Sequence, residues 1–274
     1  MQFAKYQGAG NDFVLLAATE APPDWPALAR RLCDRHFGVG GDGLLLLDEA
    51  GGQLRMRMFN PDGTEDMCGN GLRCLAFHAH RLGLTSGDAF VIETLAGPRR
   101  CRLLEAEAHR AVVWTEMGRA DLRPEAVPMK FPGAQAVNYP LKVGGETLTA
   151  TSLSTGTAHT VIFGPPPDEA RFQRLSPLIE THALFPERTS VLWAEPLSRS
   201  RLRVRIWERA VGETLACGTD AAAVAVAARV QGLADSPVEI VSAGGTLAVE
   251  VAEDLAVALS GPAVHLYDGA VTLE

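Results

Sequence analysis

The sequence has few lysines, no long apolar run and no basic surplus. The 274 residues include only Lys5, Lys130 and Lys142 as lysines, and none of them lies in a recognisable Schiff-base setting, so we expect no pyridoxal phosphate. The net charge of −8 argues against binding to a phosphate backbone. No apolar run reaches the length of a bilayer span, and residues 1–13 contain no signal-peptide core. We therefore expect a cytoplasmic protein with no nucleic-acid or membrane partner.

The cysteines are odd in number, which argues against a disulfide framework. A chain of this length needs no disulfide staples, so the five cysteines are expected to be reduced thiols. A single cysteine is most often a small buried apolar residue, and this is our interpretation of Cys33, Cys74 and Cys101. Five residues separate Cys68 from Cys74, which is not a usual metal-ligand spacing, so we predict no metal site.

Cys68 and Cys217 differ from the other cysteines because they share a sequence frame. Each has a glycine five residues before it, a glycine directly after it, and then a small amide or hydroxyl residue, Asn70 or Thr219. The two cysteines are separated by a little over half the chain length. This spacing is expected of a duplicated domain with one motif in each half.

Each of these cysteines precedes an apolar segment that resembles a helix. Leu72, Leu75, Ala76 and Ala79 follow Cys68 at helical spacing, and residues 221–230 after Cys217 are almost entirely alanine and valine, as in a helix buried on all sides. A thiol at a helix N-terminus ionises more easily because unpaired N–H groups and the helix dipole stabilise a thiolate. The same donors can hold a carboxylate beside it.

The remaining pattern predicts an α/β (α+β) protein of two lobes. Short alternating strands recur throughout, including 54–59, 90–93, 100–104 and 111–116 in the first half, and 256–260 and 264–272 at the end. Helices are also expected at 25–35 and 168–182. Many short strands with one central helix in each half predict mostly antiparallel sheets curled around a buried helix. We place the N-terminal lobe at 1–117, completed by a strand at 263–274, and the C-terminal lobe at 118–262.

Two thiols at helix N-termini are suited to racemisation or epimerisation. One thiol can remove a proton from a carbon while the other returns a proton to its opposite face. Removal of a hydrogen next to a carboxylate places negative charge on that carboxylate, and preorganised N–H donors stabilise it. The residues that follow the two cysteines could supply these donors, and this chemistry needs no cofactor; they are Gly69, Asn70, Gly218 and Thr219.

The substrate contacts are less clear from the residues alone. Glu208 and Arg209 lie nine and eight residues before Cys217, and Asn60 lies eight residues before Cys68. This correspondence favours substrate contact over a solvated charge pair. His159, taken alone, is a core histidine by default.

The motifs resemble those of the diaminopimelate epimerase family along the whole chain. They are Gly10-Asn11-Asp12-Phe13, Asp34-Arg35-His36-Phe37-Gly38-Val39-Gly40, Phe59-Asn60-Pro61-Asp62-Gly63, Met67 to Cys74, and Glu208 to Thr219. The resemblance implies a cofactor-independent isomerase that interconverts LL- and meso-diaminopimelate on the route to lysine and peptidoglycan. It also implies two pseudosymmetric α/β lobes and a homodimer.

The resemblance implies roles for individual residues. Cys68 and Cys217 would be the acid and base, with the reacting carboxylate held by Gly69, Asn70, Gly218 and Thr219. Substrate would be bound by Asn11, Asn60, Glu208 and Arg209, and Arg209 suits bidentate contact with the distal carboxylate. His159 and Glu208 would tune the pKa values of the thiols.

Several positions depart from the family pattern. Thr157 and Ser190 stand where the family has asparagines that contact the distal end of diaminopimelate, and Asp220 stands where a small residue is common. An alternative is therefore a racemase of another amino acid, such as histidine, on the same scaffold. Proline racemase also uses paired thiols, but its motifs differ over most of the chain. A non-catalytic or redox thiol protein is a further alternative, although such a protein has no use for Asn60, Glu208 and Arg209.

Overall fold

The computed structural model describes residues 1–18 and 24–272, with four α-helices and seventeen β-strands in that part of the chain. The chain divides into two units, Met1–Glu116 with Ser260–Glu274, and Met117–Leu259. That they correspond to domains with a boundary at 117 and 118 remains a prediction. Residues 19–23 and 273–274, which fall within the predicted N-terminal lobe, lie outside the described residues. No helix in the described ranges has the length and apolar character needed to span a bilayer.

The first unit is a sheet that closes on itself around one helix. Its strands are β1 (Gln2–Gly8), β2 (Asn11–Ala17), β3 (Gly43–Ala50), β4 (Gln53–Phe59), β5 (Glu65–Asp66), β6 (Ala89–Thr94), β7 (Gly97–Ala106), β8 (Arg110–Arg119) and β17 (Ala256–Ala270). β1 pairs with β2, β2 with β3, and β3 with β4. β4 pairs with both β5 and β6, and the series continues from β6 to β7, from β7 to β8 and from β8 to β17. Because β17 also pairs with β1, eight strands form a closed barrel.

Helix α2 (Gly69–Arg81) supplies the core of this barrel. It contains no β-branched residue, and Cys68 is its N-cap residue. Gly83, two residues after the last helical residue, has a φ of 71°, the left-handed conformation that commonly follows a helix. Leu72, Leu75 and Phe77 are fully buried against the strands. Each such side chain contributes about 1.5–3 kcal/mol through apolar burial. A second helix, α1 (Trp25–Cys33), packs against β2, β3 and β4.

The glycine-rich loop between α1 and β3 packs closely against the helix. A Cβ atom on Gly38 would lie 2.2 Å from the carbonyl oxygen of Arg31 and 2.8 Å from that of Leu32, so only glycine fits. The α1 helix ends at Cys33, two residues earlier than predicted. The helix ends here because the backbone of Asp34 is extended. The Asp34 carboxylate accepts hydrogen bonds from the N–H groups of His36 and Phe37.

The second unit also has strands around a buried helix. Its strands are β9 (Tyr139–Val143), β10 (Glu146–Ser154), β11 (Ala158–Phe163), β12 (Ser190–Ser198), β13 (Arg201–Glu208), β14 (Gly212–Thr214), β15 (Val238–Ser242) and β16 (Gly245–Val251), preceded by a 3-10 turn at Pro124–Ala126. The pairs β11–β12 and β13–β15 are parallel, and β9–β10, β10–β11, β12–β13, β13–β14 and β15–β16 are antiparallel. The sheet is thus mostly antiparallel.

Helix α4 (Gly218–Val230) packs against β10, β11, β12, β13, β15 and β16. Small side chains let the helix sit among so many strands, and it is buried from Ala221 to Ala228. Helix α3 (Glu169–Glu180) lies on β9 and β12 and is two residues shorter at its C-terminal end than predicted. The predicted fold class, a mixed α+β protein with curled sheets around central helices, is confirmed.

The final strands differ from the sequence prediction. Residues 256–260 and 264–272 were expected to form two strands, but β17 is continuous from Ala256 to Ala270. Residues 261–263, between the two predicted strands, include Pro262. Proline has no N–H to donate, but its carbonyl is used here, because Arg73 Nε donates to Pro262 O over 3.4 Å.

Candidate active site

Cys68 is the N-cap residue of α2. Its sulfur accepts a hydrogen bond from the Gly71 N–H at 3.5 Å, and its thiol lies 3.6 Å from Asn11 Oδ1. Gly69 and Asn70 form the first helical positions, where N–H groups have no partner within the helix. Cys68 is half-buried, so its sulfur is partly accessible and also lies at the positive end of the helix dipole. We call Cys68, Asn11, Asn70 and Arg73 the Cys68 cluster.

Buried hydrogen bonds hold the two asparagines of the Cys68 cluster in place. Asn70 Nδ2 donates to Asn11 Oδ1 at 3.4 Å, and Asn70 Oδ1 accepts from Arg73 Nη2 at 2.7 Å. Asn11 Nδ2 donates to Asp42 Oδ2 at 2.8 Å. Arg73 is fully buried and also donates to Gly69 O at 3.3 Å. A buried guanidinium thus lies one turn along the helix from Cys68.

A network of charged side chains lies next to Asn11. Asp12 lies 2.6 Å from Lys5 Nζ and 2.7 Å from Arg35 Nη2, and Arg35 also lies 2.6 Å from Asp42. Burial opposes ionisation of Asp12, but the hydrogen bonds from Arg35 and Lys5 outweigh it and lower its pKa to about 2. These charges fix the β1–β2 turn that carries Asn11.

Asn60 lies in the turn after β4. Its side-chain Nδ2 donates to Thr64 Oγ1 at 3.0 Å, and its N–H donates to Thr64 O at 2.8 Å. The turn needs Gly63, which has φ of 88° and no room for a Cβ, since Pro26 O would lie 2.8 Å away. The structure therefore places Asn60 on the hairpin that leads into Cys68.

Cys217 occupies the equivalent position in the second unit, as the N-cap residue of α4. Its sulfur lies 3.1 Å from Thr219 Oγ1, and Gly218 and Thr219 begin the helix. Its surroundings raise the pKa of the thiol well above its ordinary value, first through burial and then through the negative charges of Asp220 and Glu208. Contact with Thr219 and the nearby Asp220 N–H offset this only in part. The Asp220 N–H does not, however, have the geometry of a capping hydrogen bond.

Glu208 is a carboxyl group at the end of β13. Burial is the main cause of a raised pKa of about 7, and the charge of Asp220 adds to it. Thr214 Oγ1 donates to Glu208 Oε1 at 2.6 Å. A carboxyl group with this pKa can gain or lose a proton near neutral pH.

His159 and Asp220 form a buried contact beside Cys217. Their Nδ1 and Oδ1 atoms are 2.8 Å apart, and each side chain is 1% exposed. The two atoms are not aligned as a hydrogen bond, so the contact is one of charge and proximity. On the other side of the ring, His159 Nε2 lies 2.9 Å from the hydroxyls of Thr155 and Thr157. We call Cys217, Glu208, His159 and Asp220 the Cys217 cluster.

The remaining predicted residues lie around β12 and β13. Ser190 is buried beside His159 in the parallel β11–β12 register, and its Oγ accepts from the Arg209 N–H at 3.1 Å. The Arg209 side chain is exposed, with one contact of 3.4 Å from Nη1 to Glu187 O. Thr157 is exposed and faces His159. The structure therefore places His159 and Ser190 on adjacent strands, with Thr157 in the turn that leads into β11.

Glu208, Cys217 and Asp220 also place three possible ligand atoms within 4.8 Å of one another. Carboxylate and thiolate are ligands that bind zinc. Asp220 is directed to His159 and Glu208 to Thr214, so we assign no metal to them.

Sequence reasoning missed Arg73, Thr155 and the role of Asp220. The one signal was Asp220 itself, a carboxylate within an alanine and valine helix. Arg73 carries no comparable signal, because an arginine at a helical position is normally on the surface.

The comparisons with known proteins agree with this architecture. The diaminopimelate epimerase family model matches residues 3–122 and 151–266. The diaminopimelate epimerase of Desulforudis audaxviator is 45% identical over 274 residues, covering 98% of both chains. That of Moorella thermoacetica is 44% identical over 279 residues, covering 100% of both.

Solved structures share the fold at lower identity. A phenazine biosynthesis protein of the PhzF family from Bacillus anthracis has a TM-score of 0.71 at 17% identity, covering 100% of this chain and 99% of that one. A probable proline racemase from Agrobacterium radiobacter has a TM-score of 0.70 at 14% identity, covering 100% and 93%. These likenesses concern the fold alone, whereas the family model and the curated relatives match in sequence over most of the chain. The chain therefore belongs to the diaminopimelate epimerase family.

Proposed function

We propose that this protein is an epimerase that interconverts LL- and meso-diaminopimelate in lysine biosynthesis, with Cys68 and Cys217 as its acid and base. The observation that carries the proposal is the same in both units. A half-buried cysteine is the N-cap residue of a central helix, whose first N–H groups can hold a neighbouring carboxylate. At Cys68 the Gly71 N–H also favours a thiolate, whereas Cys217 has no such capping hydrogen bond. The identity of 45% to a diaminopimelate epimerase supports this substrate.

In the proposed reaction, one thiolate takes the α-proton and the other thiol donates a proton to the opposite face of the same carbon. The carbanion that forms is stabilised through its carboxylate, which accepts hydrogen bonds from the first N–H groups of α2 and α4, at Gly69, Asn70, Gly218 and Thr219. The pKa of Cys217 is raised, so we propose that Cys217 is protonated before substrate binds. No bond other than C–H and S–H is made or broken, so the chemistry needs no cofactor.

Other residues would bind the substrate. Asn11 and Asn60 lie on the turns beside Cys68, and Glu208 lies within 4.8 Å of Cys217. Arg209 is exposed and makes only a long contact to Glu187 O, so its guanidinium is available for bidentate contact with a carboxylate. His159 and Glu208 would tune the proton affinity of Cys217.

A second substrate is favoured by one observation. The Thr157 hydroxyl contacts His159, and the Ser190 hydroxyl accepts a hydrogen bond from the Arg209 N–H. Both side chains are shorter than asparagine, so neither extends as far as an asparagine amide would. A racemase of another amino acid, such as histidine, would keep both thiols and change this end of the site.

The test is α-hydrogen exchange in deuterated water with LL-diaminopimelate, histidine, glutamate, ornithine and proline, followed by NMR. Exchange and inversion with diaminopimelate alone are expected. Exchange with another amino acid instead would keep the reaction class and replace the substrate. A protein that exchanges none of them would refute the proposed proton transfer.

We also propose a cytoplasmic homodimer. Support comes from family membership and from the reduced thiols expected of the sequence. Analytical ultracentrifugation at micromolar concentration should give twice the mass of 29.2 kDa, and a single-chain mass would refute the dimer.

A further inference from the structure

Asp220 is a buried carboxylate that is poorly explained by helix α4 alone. It is fully buried in the first turn of a helix otherwise rich in alanine and valine. Within the described residues, neither of its oxygens has a hydrogen-bond partner. A buried charge without compensation is strongly unfavourable, so its contact with His159 Nδ1 at 2.8 Å must supply the compensation.

The hydroxyls around His159 indicate which ring atoms carry protons. Thr155 Oγ1 donates its single proton to Thr219 O at 3.1 Å. At 2.9 Å from His159 Nε2, Thr155 can therefore only accept, so we take Nε2 to carry a proton. The Thr157 hydroxyl, also 2.9 Å from Nε2, then accepts from the same N–H. If Nδ1 were unprotonated, its lone pair would lie 2.8 Å from the Asp220 carboxylate, and the two would repel each other. A proton on Nδ1 removes this repulsion without requiring an aligned hydrogen bond, so we take Nδ1 to be protonated as well.

We propose that Asp220 is a positioning residue that holds His159 as an imidazolium, so that Cys217 faces an ion pair instead of a lone carboxylate. An imidazole is a stronger base than a carboxylate, so we assign this proton to the ring and not to Asp220. The inference rests on the proposed role of Cys217 as an acid and base.

The ion pair matters because several acidic groups meet at this place. The ionisable groups that face Asp220 are His159 from β11, Glu208 from β13 and Cys217 at the start of α4. Glu208, Cys217 and Asp220 have atoms within 4.8 Å of one another, so each negative charge opposes the next. A positive imidazolium on His159, next to Asp220, offsets one of these negative charges and so favours ionisation of the Cys217 thiol.

The first test measures the protonation of His159 directly. In protein labelled with 15N-histidine, the His159→Gln variant identifies the His159 signal among the seven histidines. Both ring nitrogens of His159 should carry a proton at pH 7.5, the pH used for the exchange measurements. In Asp220→Asn, Nδ1 should lose its proton. A singly protonated ring in the unsubstituted protein, unaffected by Asp220→Asn, would overturn the inference.

The second test is a double-mutant cycle on α-hydrogen exchange as a function of pH. His159→Gln leaves Asp220 as a lone carboxylate, so the pH of half-maximal exchange should rise by about one to two pH units, and exchange at pH 7.5 should fall about 10- to 100-fold. Asp220→Asn removes both charges, so adding His159→Gln to it should cost less than about five-fold. Equal losses from His159→Gln in both backgrounds would show that the residues act independently and would overturn the inference.

The matched control is His265→Gln, which breaks the other described histidine–carboxylate contact, between His265 Nε2 and Asp268 Oδ1 at 2.9 Å. This contact is in the first unit and should not shift the pH profile. The two proposals fail separately. Absence of exchange with any amino acid would refute the proposed function, while the NMR result would still decide the state of His159.

Discussion

The Cys68 and Cys217 clusters use the same helix-capping cysteine in opposite electrostatic surroundings. One turn into α2, the Cys68 cluster has the buried cation Arg73, which donates to Asn70, Gly69 and Pro262. In the first turn of α4, the Cys217 cluster has the buried anion Asp220. A duplicated motif can thus keep its backbone donors while its charges diverge.

The residue three after each cysteine shows how the difference arises. In the first unit it is Gly71, where a Cβ would lie 2.9 Å from Leu45 Cδ2, so no side chain fits without movement. In the second unit it is Asp220, whose side chain reaches His159 on β11. The packing of the first helix against its barrel excludes a charge that the second unit accommodates.

The largest expected effect comes from removal of either thiol. Cys68→Ser or Cys217→Ser should lower epimerisation by about 10³-fold or more, because a hydroxyl is far less acidic than a thiol. Steady-state turnover measures this, with circular dichroism to confirm folding. Cys101→Ala, which changes a fully buried thiol in the barrel core, is the control and should retain most activity. Near-normal turnover of either serine variant would refute the two-base mechanism.

Removal of Arg73 tests the anchoring of the Cys68 cluster. Arg73→Met should lower the free energy of unfolding by about 2–4 kcal/mol, because it leaves buried acceptors on Asn70 and Gly69 without their donor. Urea denaturation followed by circular dichroism measures it. Arg81→Met, on the exposed end of the same helix, should cost no more than about 1 kcal/mol. Equal losses would mean that Arg73 does not anchor this cluster.

Arg209 tests substrate binding beside the Cys217 cluster. Arg209→Lys replaces a bidentate donor by a point charge, so kcat/KM for the proposed substrate should fall about 10- to 100-fold, mostly through KM. Arg203→Lys on β13 is the control, since Arg203 pairs with Glu195 at the surface over 2.7 Å. Its kcat/KM should stay within about two-fold. A loss confined to kcat would argue against a binding role for Arg209.

The smallest expected effect is a pH dependence of stability caused by Glu208. Its pKa rises from 4.5 to about 7 on folding, so between these values the folded state binds more protons than the unfolded state. The contribution of Glu208 to stability is therefore present below about pH 4.5 and is lost as pH rises to about 7. Glu208→Gln should become more stable relative to the unsubstituted protein by about 1–3 kcal/mol between pH 5 and pH 8.

Urea denaturation at the two pH values measures this difference. Glu213→Gln, an exposed residue paired with Arg205 at 2.7 Å, is the control and should show a smaller change. A Glu208→Gln difference that does not vary with pH would show that Glu208 has the same proton affinity in both states.

Much of this architecture could be predicted from sequence because it depends on local patterns. The helices after Cys68 and Cys217 follow from apolar spacing, and the close packing at Gly38 follows from a run of glycines. The contact between Asp220 and His159 could not be predicted, because it depends on how α4 lies against β11, about sixty residues earlier in the chain. The continuous β17 was missed because a proline normally interrupts a strand.

The pairing of β1 with β17 has a consequence for how the chain acquires its structure. Gln2 lies opposite Ala270, so the barrel that encloses α2 closes only after the second unit has been synthesised. Contacts of such long sequence separation form slowly, because a large loop must close before they contribute. On the ribosome, β1 and β8 therefore each have one unpaired edge until β17 has been made. A chaperone that binds exposed strand edges would act on the first unit of the nascent chain.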